Sequence, residues 1–255
     1  MLALLLLGPP GLSATWEDAD WNSQVRSLTN KVRAYELRVK SMQELLTRDP
    51  EKTFPLLVSL LKDRTEGAPL RYLAAEKMVE ADRRQALDTF QKILDNRKED
   101  PFARRSSFTQ LLRLLNQDQT RKKIETTVDD PSEDPAIRQY ALSLYSEGRQ
   151  DKKIEKLRSF ARSKQETLSL RTNALFLLES LGDLDFVRSM IHQSLNNRME
   201  PEELRKNGAV MAERINDSDS IPLLEKIAHH PQESSTLKQL AASLLKQMRG
   251  KEKTG

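Results

Sequence analysis

The amino-acid sequence predicts an all-α fold, an α-α superhelix of about six stacked helix pairs that follows one long N-terminal helix. Two observations lead to this prediction. The composition favours helix, because the 255 residues include 8 glycines and are rich in Leu, Ala, Glu, Lys, Arg and Gln. A short pattern also recurs six times, at a regular step of about 33 residues. A repeat of this length is typical of helix pairs that stack into one continuous core.

The repeated pattern is an apolar residue, a basic residue, two variable residues and a small residue. In the copy at Ile137-Arg138 the small residue is Ala141. On a helix the small residue lies one turn after the basic residue on the same face, where it lets a neighbouring helix approach closely. The basic positions of the six copies are Arg71, Arg104, Arg138, Arg171, Arg205 and Lys238.

Capping residues accompany the pattern and predict where helices begin and end. Asp100-Pro101 and Asp134-Pro135 are suited to the N-cap and the first position of a helix. Between the copies, apolar residues spaced three and four apart indicate a further helix in each repeat. Gly67, Gly148 and Gly182 fall in the short connections, where helix ends favour a left-handed residue.

The segment Asp134-Pro135-Ala136-Ile137-Arg138, with Ala141, resembles the HEAT-repeat signature, and the resemblance covers residues 50–249. It implies that the six basic residues form a structural ladder between repeats, paired with acids and carbonyl groups of the turns. The fourth and sixth copies depart from the signature, since they have Glu166 and Ser235 nearby in place of the Asp-Pro pair. The Trp, Gly-Tyr and Pro positions of tetratricopeptide repeats are not reproduced.

An apolar stripe with heptad spacing precedes the repeats. It predicts one long helix over residues 21–47, and residues 15–49 are assigned to this N-terminal element. Two interpretations stay open: the helix packs back on the first repeat as a cap, or it pairs two chains as a homodimeric coiled coil. Capping is favoured, because the ends of a solenoid need cover. The stripe consists of Trp21, Val25, Leu28, Val32, Tyr35, Val39, Met42 and Leu46.

The first residues are typical of a secretory signal peptide. Residues 2–7 are apolar, residues 8–11 break the run, and Ala14 suits a cleavage site. Residues 1–14 are therefore predicted to direct export to the periplasm or out of the cell, leaving no transmembrane span after removal. A cytoplasmic chain and a retained lipid-facing anchor are the alternatives. At the other end, residues 250–255 form a basic tail.

The sequence offers little for catalysis. It contains no cysteine, which excludes thiol nucleophiles and cysteine-ligated metals. No glycine-rich phosphate loop or paired-histidine helix motif is present. His229 and His230 point to different sides of a helix and do not converge on one metal ion. We therefore expect no cofactor, no metal site and no enzymatic activity.

The predicted function is a non-catalytic scaffold that binds a protein or peptide on its curved surface. The second helix of each repeat is expected to line that surface. Its outward positions are Tyr72, Arg105, Gln139, Thr172, Lys206 and Gln239.

The alternative function is nucleic-acid binding, or a glycosylase-like or lyase-like enzyme on the same fold. A net charge of +4 is modest for a nucleic-acid-binding protein of this length. DNA glycosylases of HEAT-like fold place Trp and Asp near the lesion, but Trp16 and Trp21 precede the repeats here. The scaffold is therefore preferred.

Overall fold

A computed structural model describes residues 12–145 and 150–252. Within these ranges the chain forms fourteen α-helices, a short 3-10 helix at Ser218–Ser220 and no strand, which confirms the predicted all-α class. The helices are α1 Leu12–Thr29, α2 Tyr35–Arg48, α3 Pro50–Lys62, α4 Ala68–Ala81, α5 Arg83–Asp95, α6 Pro101–Leu114, α7 Gln117–Asp129, α8 Pro135–Leu144, α9 Gln150–Arg162, α10 Leu168–Ser180, α11 Leu184–Asn196, α12 Glu202–Arg214, α13 Ile221–His229 and α14 Ser235–Glu252.

The chain forms two compact units that divide between Thr120 and Arg121. In the first unit the helices pack as the successive pairs α1/α2, α3/α4 and α5/α6. In the second unit the corresponding pairs are α9/α10, α11/α12 and α13/α14, and α8 packs against α10. Each unit thus stacks helix pairs, as expected when no pair can bury its own apolar face.

The predicted single N-terminal helix is wrong, because residues 21–47 form a helix hairpin. The chain reverses at residues 30–34, where the Asn30 side chain accepts the backbone N–H of Val32 at 3.1 Å. The two helices of a hairpin each need an apolar face with spacings of three and four, so their combined pattern imitates one continuous stripe.

The hairpin buries half of the heptad stripe inside the chain. Trp21, Leu28, Met42 and Leu46 are buried, whereas Val32, at the reversal, is 96% exposed. These buried residues already pack against other residues of the same chain. The homodimer through residues 21–47 stays a prediction.

Side-chain caps begin the helices where the sequence placed them. Asp100 accepts the backbone N–H of Ala103 at 3.1 Å, and Asp134 accepts that of Ala136 at 2.8 Å. These bonds satisfy N–H groups that lack a partner within the helix. Thr167 caps α10 in the same way although no proline follows it.

The core lies between successive helices and contains the apolar and small residues of the repeated pattern. Leu70, Ala74, Ile137 and Ala141 are at most 1% exposed. Gly208 is the small residue of the fifth copy, and a Cβ atom added there would lie 2.5 Å from the Ser194 hydroxyl of α11. Close approach of α11 and α12 is therefore the reason for a small residue at this position.

Some sequence predictions fall outside the described residues. Residues 1–11 of the predicted signal peptide, Gly148 and residues 253–255 of the basic tail lie there. No described helix is both long enough and apolar enough to cross a lipid bilayer.

Candidate functional site

The basic residues of the repeated pattern are buried in the helix pairs. Arg138 shows the arrangement: its Nε donates to the Val128 carbonyl oxygen at 3.1 Å. Its two terminal nitrogens donate to the two carboxylate oxygens of Glu166, at 2.7 and 2.9 Å. The carbonyl belongs to the preceding helix of the same repeat and the carboxylate to the next turn. One guanidinium thus joins adjacent repeats with charge-assisted hydrogen bonds.

The same two kinds of contact recur along both units. A backbone carbonyl of the preceding helix accepts from each arginine, with donor–acceptor distances of 2.7 to 3.4 Å. A carboxylate from the corresponding turn of the next repeat is the second partner of five of them. These five pairs are Arg38–Glu66, Arg71–Asp100, Arg138–Glu166, Arg171–Glu200 and Arg205–Glu233.

Arg104 keeps the backbone contact of the other arginines, and the lysine at the last predicted position differs from them. Arg104 is buried and its Nε donates to the Leu94 carbonyl oxygen at 3.0 Å. Lys238 is half-buried, and its Nζ donates to the Pro231 carbonyl oxygen at 3.2 Å. A lysine carries one compact ammonium group and cannot form the two-sided contact of a guanidinium.

The arginines hold two of the ladder carboxylates in their charged form. The hydrogen bond from Arg38 lowers the pKa of Glu66, and the bond from Arg205 lowers the pKa of Glu233. A buried ion pair adds little net stability over an apolar pair, but removal of one partner leaves an uncompensated charge. The ladder therefore fixes the packing register of neighbouring repeats, and its groups are not open to a ligand.

Sequence reasoning missed one arginine and most of the carboxylates. Arg38 lies one repeat step before Arg71, on α2. It was missed because the apolar stripe predicted one long helix where the chain forms the pair α1/α2. The carboxylates could have been found, since a turn glutamate recurs with the same step as the arginines. Its positions are Glu66, Glu99, Glu133, Glu166, Glu200 and Glu233.

The predicted binding-face residues all lie on second helices, but the structure brings only two of them into one groove. In the first unit, Tyr72 is half-buried on α4 and Arg105 is exposed on α6. In the second unit, Lys206 contacts Glu202 of its own helix at 2.9 Å, and Gln239 is exposed on α14. The remaining two predicted residues line the groove described next.

The groove lies across α8, α10 and α12 of the second unit and has a volume of about 430 Å³. Hydrogen bonds link its polar side chains across the helices. Ser169 donates to the Gln139 side chain at 2.8 Å, and the Asn207 amide donates to the Thr172 hydroxyl at 3.2 Å. The lining residues are Gln139, Leu168, Ser169, Thr172, Asn173, Phe176, Glu203 and Asn207.

Beside the groove, an arginine covers its aromatic residue. The guanidinium of Arg214 lies 5.5 Å from the ring centre of Phe176, and its Nε donates to the Glu179 carboxylate at 2.8 Å. The second carboxylate oxygen of Glu179 is buried and makes no hydrogen bond within the described part of the chain. The Arg214 side chain is 58% exposed.

The histidines do not form a site with a metal ion. His192 lies 2.8 Å from the buried carboxylate of Asp217, which also accepts the Ser220 hydroxyl at 2.6 Å. Over residues 12–145 and 150–252, no three His, Cys, Asp or Glu side chains are close enough to hold a metal.

Comparison with known proteins bears mainly on the fold. No protein-family model and no curated protein match the chain. A solved structure that matches is human deoxyhypusine hydroxylase in complex with glycerol, at a TM-score of 0.37 and 12% identity. The alignment covers 94% of this chain and 99% of that one. The stacked helix pairs and the arginine ladder themselves give this chain its HEAT-like helical repeat fold.

The matched structure also corrects one expectation. It belongs to an enzyme, so the prediction that this chain is not an enzyme does not stand. A likeness this weak transfers neither a substrate nor a residue role. The described residues of the present chain must therefore be interpreted from their own geometry.

Proposed function

We propose that this chain is a protein-binding scaffold, and that the groove across α8, α10 and α12 holds an extended segment of a partner protein. The observation that carries the proposal is the groove itself. It is open, about 430 Å³ in volume, and lined by side chains from three successive second helices. An extended peptide presents alternating backbone donors and acceptors, which a row of side-chain amides can match.

The amides of the groove retain hydrogen-bonding capacity for such a segment. Asn207 donates one N–H to Thr172, and Asn173 donates one to the backbone oxygen of Gln139 at 3.4 Å. Each amide has a second N–H and a carbonyl oxygen left to offer. Because the two asparagines occupy the same position in adjacent repeats, their free groups recur along the groove as backbone groups recur along a peptide.

The lining favours a peptide over a nucleic acid. Phe176 and Leu168 supply apolar surface, which suits a side chain of the partner. The one charged lining residue is Glu203, which would repel a phosphate group. The two cations beside the groove are already paired, Lys206 with Glu202 and Glu203, and Arg214 with Glu179. Nucleic-acid binding at this face is therefore the less favoured function.

Site-specific crosslinking tests the proposal. A photoreactive benzoylphenylalanine replaces Thr172 in the groove or, as the matched control, Gln239 on the exposed face of α14. We expect the Thr172 derivative to capture a discrete protein from the organism's own extract and the Gln239 derivative to capture none. Phe176→Ala, introduced into the Thr172 derivative, should reduce the yield about tenfold, since a buried aromatic contact contributes over ~1 kcal/mol.

Two outcomes of the crosslinking experiment would contradict binding in the groove. If both derivatives capture the same set of proteins, or if Phe176→Ala leaves the yield unchanged, the groove is not the binding surface. Thermal unfolding of each variant establishes that a lost yield does not come from lost structure. Nucleic acid recovered with the Thr172 derivative in place of protein would favour the alternative function.

A further inference from the structure

Two turns of the chain present an apolar side chain at an exposed apex. Val32 is 96% exposed in the turn between α1 and α2, and Met199 is 90% exposed in the turn between α11 and α12. Both are the third residue of a turn that joins the first and second helix of a repeat. The residues at this position in the other such turns are the polar Thr65, Lys98, Ser132, Gln165 and Gln232.

Each apex is held in a defined conformation. The Asn30 side chain accepts the backbone N–H of Val32 at 3.1 Å, and the Asn197 side chain accepts that of Met199 at 3.0 Å. These side-chain turns fix the backbone at the apex. Val32 and Met199 therefore point outward from ordered structure.

Cations flank both apolar residues. Lys31 precedes Val32 and Arg33 follows it, and Arg198 precedes Met199. Lys31 contacts Asp63 but keeps 45% of its side chain exposed, and Arg198 keeps 44% exposed.

Glu200, the acid within these two turns, lies deeper than the cations. The ladder buries Glu200 against Arg171, and residues 30–34 contain no acidic residue. Each turn consequently presents cations beside an apolar tip, with Lys31 paired to Asp63 and Arg198 paired to Glu233.

We propose that each of these two turns is a contact point for a bilayer of anionic phospholipid. A protruding apolar side chain enters the boundary between headgroups and acyl chains, where apolar surface is favoured. Lysine and arginine beside it pair with anionic headgroups. A polar apex, as in the sister turns, would remain in water. Neither turn lines the groove across α8, α10 and α12, so this proposal does not depend on the proposed partner binding.

Vesicle cosedimentation of the full-length chain tests the proposal. We expect binding to vesicles of phosphatidylcholine with about one third phosphatidylglycerol, and none to pure phosphatidylcholine. Val32→Thr and Met199→Gln replace each apolar tip with a residue found in a sister turn. Each should weaken partitioning by about threefold to tenfold, from the loss of buried apolar surface. Arg33→Gln should weaken it by about fivefold.

Matched controls separate a specific contact from general charge attraction. Lys122→Gln and Lys152→Gln remove exposed cations from first helices, away from the turns, and should leave binding unchanged. The proposal is overturned if these controls lose as much binding as Arg33→Gln, or if Val32→Thr and Met199→Gln bind like the wild type. It is equally overturned if the chain does not sediment with the anionic vesicles. Binding of its turns to an acidic polypeptide such as polyglutamate, without binding to the vesicles, would also overturn it.

Discussion

The ladder predicts a large and specific loss of stability when one arginine is removed. Arg138→Met keeps much of the side-chain volume but deletes the charge and every donor. The Val128 carbonyl oxygen then loses two hydrogen bonds, and Glu166 loses its bidentate partner. Removal of one member of a buried ion pair costs about 3–5 kcal/mol. Since Glu166 keeps 17% of its side chain exposed, we expect about 3 kcal/mol.

Urea denaturation followed by circular dichroism measures this loss, and hydrogen exchange localises it to α8 and α10. A second substitution sharpens the test. Glu166→Gln in the Arg138→Met background removes the stranded charge, so the double variant should recover about half of the loss. Arg249→Met, at an exposed ion pair with Glu225, is the matched control and should cost at most about 1 kcal/mol.

Two results would refute the reasoning. If Arg138→Met costs no more than Arg249→Met, the buried ladder contact does not fix the repeats. If the double variant is less stable than Arg138→Met alone, a stranded carboxylate is not the origin of the loss.

Three further predictions concern single positions. Gly208→Ala should destabilise the chain, because the added Cβ would lie 2.5 Å from the Ser194 hydroxyl. In a Ser194→Ala background the nearest side-chain atom is at 3.7 Å, so the same substitution should stabilise the chain by up to about 1 kcal/mol. A double-mutant cycle measured by urea denaturation checks both expectations. Asn216 has φ of 53°, so Asn216→Ala should cost about 1 kcal/mol and Asn216→Gly should cost less, by thermal unfolding. Because the pKa of Glu66 is lowered in the folded chain, Glu66 contributes fully to the free energy of unfolding at pH values above the ordinary glutamate pKa. This contribution is lost as the pH falls through the lowered pKa. Glu66→Gln should therefore flatten the acid side of the stability–pH curve, and an unchanged curve would contradict this reasoning.

The repeat array was largely predictable from sequence, because its residues are constrained locally. An apolar residue, a basic residue and a small residue must recur wherever one helix packs on the next, and Arg71 and Arg138 appear in that register. The reversal after α1 was not predictable from the apolar stripe. Both helices of the hairpin and a single long helix need the same spacing of three and four, so the reversal at residues 30–34, which leaves Val32 exposed, emerges only from the tertiary structure.

The groove was only partly predictable. Gln139 and Thr172 were selected because they follow the basic residue on the second helix. Phe176 was missed, since an aromatic residue in a helix normally indicates core, and nothing in its spacing shows that it lines an open groove. Lys206 has the same helix position as Thr172 but is bound by neighbouring acids. Which side chains remain free for a ligand depends on such contacts.

The sequence alone determined the helical class, the length of the repeat step and the basic positions of the ladder from Arg71 onward. These features follow from local periodicity, which each helix must satisfy by itself. The tertiary structure decided that Arg38 belongs to the same ladder and that turn glutamates are its main partners. It also decided that a groove opens across α8, α10 and α12. Contacts between residues of successive repeats arise only when the helix pairs stack, so no local pattern contains them.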